Sequence, residues 1–533
     1  MLTPDYYEHL LDELIKLYSE LDNAIIADIV RRLLKNGYAT ETAKWQLQQL
    51  QEAGLLYEDI IAEISRYTDA TQQQVRAIFE DAGMQAIKND NVYYKSAGMS
   101  GIIKMSDAAL QVLNAGYIKC SGDLSNLTLT TANTVQQAYI TACNNAYMQI
   151  TSGAFDYNTA IRTAVKAAAA DGTAVLYPSG HRDKLDVAVR RTVLTGVGQT
   201  CRTLSETNAQ DMGCDLMEIT AHAGARPSHA AWQGKIVSLS GRTGYLSKAD
   251  IGYGTGAGFG GWNCRHDWHP FFEGMSQRSY NDEDLEKLNE KNVEYNGNKY
   301  TDYEISQIQR KMERDIRKLK REAVAADTGR INAVDDDLKH KFDDDFIKSS
   351  AQLKEKERQL KNLQKQTRTL PDKSRVWVNG FDKSVSQKAV WADKKLLQLG
   401  DGNAIIGEKV YNFQNKLSQG KINLNIKKEK QRDHIRGDEK WKKRVADDLS
   451  NSQTPTSMFF EQTDIQKLID SYAGKGKIVY RDEKQNYPIE YVTADHAVGK
   501  VWDSGLNRYV DTKRFVIRYS KKGVHMHPVK ERE

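Results

Sequence analysis

Apolar residues recur at spacings of three and four through the opening segment: Leu10, Leu11, Leu14, Leu17 and Leu21, then Ile25, Ile26, Ile29, Val30, Leu33 and Leu34. That period puts one apolar stripe along a helix. Thr3-Pro4 reads as an N-cap followed by proline at the first helical position, and Asn36-Gly37 as the stop. Thr71 and Gln74 have capping-box spacing, so a further helix is expected to start near Thr71. The Ala-dense stretch Thr159 to Ala170, closed by Gly172, and the Val-studded stretch Asp186 to Asn208 predict two more helices. Residues 220–275 lose this period; glycine, histidine and aromatic residues crowd there and predict irregular loops. From 302 to 370 the period returns in a highly charged background: Ile305, Ile308, Met312, Ile316, Leu319 and Ala323, then Leu353, Leu360 and Leu363. Asp327-Thr328-Gly329 interrupts it, so two long helices are expected, packed on each other or on a partner as a coiled coil; the alternative is a solvated single helix. Pro371 opens a polar connection, and a helix is expected over Ser386 to Leu397. Beyond about residue 405 the segments Lys477–Arg481, Ile489–Thr493 and Phe515–Tyr519 read as short strands.

The pattern predicts a multidomain chain: a mainly α-helical body with long helices and an irregular Gly/His-rich loop region, plus a small α+β C-terminal domain. The expected divisions are a helical module at 1–90, a core at 91–300 containing the motif region 220–275, charged helices at 301–370, a linker and helix at 371–404, and the α+β domain at 405–533. Composition agrees with folded cores, since 40% of the 533 residues are hydrophobic and 28% charged. No apolar run approaches the roughly 20 residues of a membrane helix. The first residues lead straight into an amphipathic segment, so neither a secretory leader nor a membrane anchor is expected. Five cysteines in a chain this long do not make a disulfide scaffold. Charge is uneven. From Lys421 onward there are 24 Lys+Arg against 17 Asp+Glu, or +7; the whole chain is +5, so the remainder is 5 − 7 = −2. An anionic partner would therefore meet the tail, although ordinary surface variation reaches that size too.

Two regions carry chemistry. The first holds His222, His229, Cys264, His266 and His269 within fifty residues. One thiol and several imidazoles could supply four tetrahedral zinc ligands, with His222, His229, Cys264 and His266 as the candidate set. Cys264-Arg-His266 is not a zinc-finger spacing, and two other readings compete. These side chains could hydrogen-bond loop backbone and tie two segments together, or Cys264 could serve as a nucleophile beside a histidine. The glycine run Gly252–Gly261 lacks the Gly-Lys-Ser/Thr ending of a phosphate-binding loop and reads as a turning loop.

The second region is the basic tail, where KKEKQRDHIRGDEKW and TKRFVIRYSKKGVHMHPVKERE each set histidines among cations. That composition suits metal-independent RNA cleavage: one imidazole takes the proton of a 2′-hydroxyl, an acid protonates the leaving oxygen, and lysines and arginines hold the phosphate. His434 is the candidate base or acid and His525 its candidate partner. Lys521 and Thr512 are candidate phosphate-binding groups; Lys430, Arg432, Tyr519, Ser520 and Lys522 are candidate substrate contacts. Asp495-His496 reads as structural. No cofactor is expected for this chemistry.

The arrangement Ala-His222-x-x-x-Arg226-Pro227-x-His229-x-x-Trp232-x-Gly234-Lys235, then Gly252-Tyr253-Gly254, then Asn263-Cys264-Arg265-His266-Asp267-x-x-Pro270-Phe271 resembles the minor capsid protein 2 family of tailed phages, and more distantly the Mu F-like minor head proteins. The resemblance covers roughly residues 1 to 370. It implies a non-enzymatic body, a low-copy head protein near the portal vertex. Its partners would be the portal and capsid proteins and the DNA during packaging or ejection. Lys430-Gln431-x-x-His434-Ile435-x-Gly437, followed by Tyr519-Ser520-Lys521-Lys522-Gly523-x-His525-x-x-Pro528, resembles the polymorphic toxin type 50 domain. That resemblance implies a barnase/EndoU/colicin/RelE-like ribonuclease fold, host RNA as substrate and an immunity protein as a further partner. It implies a location in the virion, and in the host cytoplasm during assembly and after injection. Met526-His527 stands where the family has Ile-Val, so His527 is either a second imidazole or incidental; Arg436-Gly437-Asp438 replaces the family's usual Pro-Gly-Thr. The competing reading is a purely structural head protein whose C-terminal domain only binds nucleic acid.

Overall fold

The computed structural model describes residues 1–531 apart from 4–5, 8–9, 36–41, 103, 152–155, 172 and 178, and apart from the side chains of 35, 42–50, 65, 67–69, 128, 151 and 170–171. The expected proline at Pro4 and the expected stops at Asn36-Gly37 and Gly172 lie outside the described residues. The chain divides into two compact units, Met1–Ala389 and Val390–Glu533. The expected divisions near 90, 300 and 370 therefore all lie within the first unit.

The first unit is built on long helices: α1 (Asp12–Lys35), α2 (Thr42–Ser96), α3 (Asp107–Thr151), α4 (Tyr157–Asp171) and, after the hairpin β1 (Ala174–Leu176)–β2 (Arg182–Lys184), α5 (Leu185–Asp211). The apolar stripe of α1 is buried as its period requires, with Leu11, Leu14, Leu21, Ile25, Ile26 and Val30 at most 2% exposed. These side chains share one core with Leu56, Val75, Phe79, Val135, Val189 and Val193. The expected start near Thr71 is corrected. Helix α2 runs unbroken through it, and Thr71 is buried and hydrogen-bonds Tyr18. A residue that binds a neighbouring helix does not need to cap its own.

Residues 220–275, expected as irregular loops, contain three strands that pair with a fourth just before them. Strands β3 (Leu216–Ile219), β4 (Ile236–Ser238), β5 (Leu246–Ser247) and β6 (Trp268–Phe271) form a four-stranded sheet in the order β5-β4-β3-β6. Each strand has at most four residues, too few for alternation to show in the sequence. Their core contains Met217, Ile219, Val237, Phe259 and Trp268, all fully buried. Phe259 comes from the glycine loop, so that loop is pinned at its far end by a buried ring.

After α6 (Asp282–Lys287) and the hairpin β7 (Val293–Tyr295)–β8 (Asn298–Tyr300), helices α7 (Asp302–Asn332) and α8 (Asp336–Thr367) pack on each other as a hairpin. A full capping box, Thr301 with Glu304, starts the first helix, and the Asp335 carboxylate caps the second. The expected interruption at Asp327-Thr328-Gly329 is corrected: the break falls at Ala333–Asp335. Asp327 is instead paired with Arg330 and Lys388, and Gly329 leaves room for the Phe342 ring. A bidentate pair from Arg162 on α4 to Asp345 on α8, at 2.5 and 2.6 Å, ties the hairpin to the body. Helix α9 (Lys383–Leu399) carries the division between the units. Among the described residues no helix is long and apolar enough to cross a membrane.

The second unit holds α10 (Ala404–Ser418), α11 (Lys428–Gln431), α12 (Glu439–Ser450), β9 (Met458–Phe459), α13 (Ile465–Tyr472), β10 (Lys477–Val479), β11 (Ile489–Thr493), β12 (Gly499–Asp503), β13 (Arg508–Thr512), β14 (Arg514–Arg518) and β15 (His525–Pro528). One antiparallel sheet has the order β10-β11-β14-β15 and a second the order β13-β12-β9. Alternation assigns the faces. Phe515, Ile517 and Met526 point into a core with Phe459, Ile469 and Val524, all fully buried. The intervening residues Arg514, Arg518, His525 and His527 therefore share the opposite face.

Candidate functional site

The basic unit brings its histidines together on that second face. Arg518 lies directly across from His525 in the β14–β15 register, and Val516 across from His527. Cross-strand partners stand on one face, so two imidazoles and a guanidinium form a patch. His434 arrives from the short helical turn Arg432–His434 that follows α11. Its ring stacks on His527, with centroids 5.1 Å apart and planes 26° apart, and its Nδ1 lies 3.1 Å from the Ser457 carbonyl.

Backbone pairing along the open edge of β15 sets that approach. The parallel bridge Ile426↔Val524 begins it, and the Lys427 amide donates to the Val524 carbonyl at 2.8 Å. Gln431, almost fully buried, completes it. Its amide nitrogen donates to the Met526 carbonyl at 3.0 Å, and its amide oxygen accepts from the Met526 N–H at 2.8 Å. One side chain thus replaces a missing neighbour strand, between the two histidines of β15.

The patch is electropositive and partly dry. Burial pushes His434 below its ordinary value against the opposing Ser457 carbonyl. Burial pushes His525 down to about 4 and His527 to about 3, with the neighbouring His434, Lys430 and Arg518 charges adding to the effect at one or both. All three imidazoles are then neutral near pH 7 and able to accept a proton. Nδ1 of His525 and Nδ1 of His527 are buried without a hydrogen-bond partner. Such orphaned atoms cost about 1–3 kcal/mol each, which a fold tolerates where the site has work to do. Burial and the Arg481 charge also push the Arg518 guanidinium down, and among the described residues it meets no carboxylate.

Other candidates fall differently. Lys430, Lys521 and Lys522 are exposed, with the latter two on the turn joining β14 to β15, and none forms an ion pair among the described residues. Arg432 is paired with Asp438 at 2.8 Å. Three candidate hydroxyls bond within the fold. Thr512 is buried, and its hydroxyl donates to the Val529 carbonyl at 2.8 Å and accepts from the Arg514 amide. Tyr519 lies on the core face and donates to the buried Glu490 carboxylate. The Ser520 hydroxyl closes its own turn on the Gly523 carbonyl at 2.7 Å. Each hydroxyl proton is thus used within the fold. Asp495 and His496 are exposed, and Asp495 accepts from the Tyr472 hydroxyl. Arg518 is no candidate of the sequence, and Gln431 enters there only as a member of the Lys430-Gln431-x-x-His434 motif. The alternation Arg514-x-Val516-x-Arg518 held a signal for the first; nothing in the sequence alone marks Gln431 as buried.

In the first unit, His229, Cys264 and His266 converge, with Cys264 Sγ 3.8 Å from His229 Nδ1 and 3.6 Å from His266 Nδ1. The His222 ring packs 4.5 Å from that of His266. His229 sits in the short turn Pro227–Ala230, which Pro227 starts, and Trp232 packs on both buried rings. Arg202, fully buried, donates to the carbonyls of Cys264 and His266 and fixes the approach to β6. His269 lies elsewhere, stacked on Tyr93 and 3.5 Å from Glu218.

A body of long helices followed by a compact α+β unit with a cationic histidine patch makes a two-part protein. The chain belongs to the Phage minor capsid protein 2 family, whose model matches residues 2–370. Residues 426–528 match the model of Bacterial toxin 50, so the chain carries that toxin domain at its C-terminal end. It is similar to a structural protein of Lactococcus phage LL-H, 25% identical over 316 residues, which cover 56% of this chain and 81% of the relative. It is also similar to a structural protein of Lactococcus phage mv4, 37% identical over 86 residues, covering 16% of this chain and 58% of that relative. No solved structure matches. The protein is thus a phage structural protein, a component of the virion, with a toxin domain attached.

Proposed function

We propose that the C-terminal domain is a metal-independent endoribonuclease, carried in the particle by a minor head protein near the portal vertex. One observation carries the catalytic reading: His434, separated by about 90 residues from His527, stacks on its ring, on the strand where His525 stands opposite an unpaired Arg518. In this reading a neutral imidazole takes the 2′-hydroxyl proton, the 2′-oxygen attacks phosphorus, and the 5′-oxygen departs with a proton from a second imidazole, leaving a 2′,3′-cyclic phosphate. His434 and His525 divide these roles, and His527 holds the His434 ring. The phosphodiester's negative charge lies against Arg518, Lys430, Lys521 and Lys522. It favours protonation of one imidazole and so supplies the acid that the empty patch lacks.

Host RNA is the substrate class, and an immunity protein would cover the patch in the producing cell. The body would bind portal and capsid proteins, and DNA during packaging or ejection. The test is the full chain incubated with host RNA, beside His434→Ala. Cleavage by the parent and a loss of at least about 100-fold in the variant are expected. A folded chain that binds RNA and never cuts it would instead establish a binding module. Absence of the protein from purified particles would refute the head location.

A further inference from the structure

We propose that His229, Cys264 and His266, with His222 as fourth donor, form a structural zinc site that clamps the loops of the small body sheet. The reading is independent of the tail's chemistry. Hydrogen-bond partners fix which ring nitrogens carry hydrogen. His229 Nε2 lies 2.8 Å from the Ala257 carbonyl, which can only accept, so Nε2 is protonated and the Nδ1 lone pair faces Cys264. His266 Nε2 lies 3.2 Å from Gln233 Oε1. That amide oxygen also accepts from the His222 backbone N–H, which fixes the amide's orientation. Nδ1 of His266 therefore faces Cys264 with its lone pair as well. Nδ1 of His222 lies 2.9 Å from the Ala223 carbonyl, which leaves His222 Nε2 as a lone pair, and that atom is buried without a partner.

Two imidazole lone pairs thus face one thiol, which has a single proton to offer, and the orphaned His222 Nε2 belongs to a ring packed 4.5 Å from that of His266. A hydrogen-bonded loop cannot satisfy them; one divalent cation can. The spacing agrees. For zinc with Zn–S of about 2.3 Å and Zn–N of about 2.05 Å at tetrahedral angles, the S···N edge is about 3.5 Å. The observed separations are 3.6 and 3.8 Å, and the ligand atoms of His229, Cys264 and His266 all lie within 4.8 Å of one another. Each imidazole has its outer N–H on a carbonyl or amide oxygen, the arrangement that orients a histidine for metal. One soft sulfur with nitrogens selects zinc over magnesium or calcium. The ligands come from a segment after β3 and a segment before β6, so the ion would staple two loops whose sheet has only short strands. The glycine loop contributes the Ala257 carbonyl, which gives that loop a role in fixing the His229 tautomer.

The test uses the full chain purified without chelator. Elemental analysis should find one zinc per chain, lost or bound at least tenfold more weakly in Cys264→Ser and in His229→Gln. A second measurement on the parent protects against variants that fail to fold. The other four cysteines are buried, so alkylation by iodoacetamide in the folded protein reports Cys264. Zinc should block it, chelation should expose it, and cobalt substitution should give the intense visible absorption of a tetrahedral site with a sulfur-to-metal charge-transfer band. A chain that takes up neither metal, with Cys264 alkylated equally fast in the presence and absence of zinc, overturns the proposal and marks Cys264 as a free thiol between histidines.

Discussion

Replacing Gln431 by alanine tests whether a single side chain holds His434 over β15. The amide makes two hydrogen bonds to Met526, at 2.8 and 3.0 Å, and is 2% exposed. Truncation removes both bonds, about 0.5–1.5 kcal/mol each, and leaves a backbone N–H and C=O on an edge strand without their partner. Because the edge lies against α11, water re-enters only as that turn moves, so the local cost is about 2–4 kcal/mol. At about 1.4 kcal/mol per decade, the Met526 amide should exchange hydrogen about 30- to 1,000-fold faster. Ile517 and Phe515, on the core face, should change far less. Ribonuclease activity should fall with His434 and His525 both intact, since Gln431 positions the imidazoles and touches no substrate. Gln431→Glu keeps the acceptor for the Met526 N–H and should recover part of the protection. An exchange rate at Met526 within threefold of the parent, with activity unchanged, would refute the positioning role.

As pH falls from about 6.5, the unfolded chain protonates at His525 and His527, whereas the folded unit resists until about 4 and about 3. The unfolded state then binds more protons, so stability present above about pH 6.5 is lost on acidification. His527→Leu should flatten that dependence in urea titrations of the tail; equal slopes in parent and variant would contradict it. Gly329→Ala places a Cβ 2.6 Å from the buried Phe342 ring. The helix-propensity gain of about 1 kcal/mol is offset by overpacking of about 1–3 kcal/mol, so the body should lose up to about 2 kcal/mol. A raised melting temperature would refute this.

Local chemistry by itself determined a good deal of this protein. The stripe of α1, the helices over 159–170 and 186–208, and the strand Ile489–Thr493 follow from side-chain period, because each depends on neighbours within a few residues. The alternation His525-x-His527 around Met526 likewise settled which residues share a face. Errors arose where a local signal had a distant use. Thr71 bonds another helix instead of capping one, and Asp327 and Gly329 serve a pairing cation and a buried ring instead of a turn. Thr512 and Tyr519 carried hydroxyls of the right kind, but the fold spends them on a backbone carbonyl and on Glu490. Only the tertiary structure decided that His434 meets His527, or that His222, His229 and His266 cluster near Cys264. Those neighbours are 93 and up to about 44 residues apart in the chain, and what brings them together is the burial of Phe515, Ile517 and Met526 in one unit and of Phe259 and Trp268 in the other. Apolar burial is non-directional and acts at any chain separation, so its outcome is written in packing and in no short stretch of sequence.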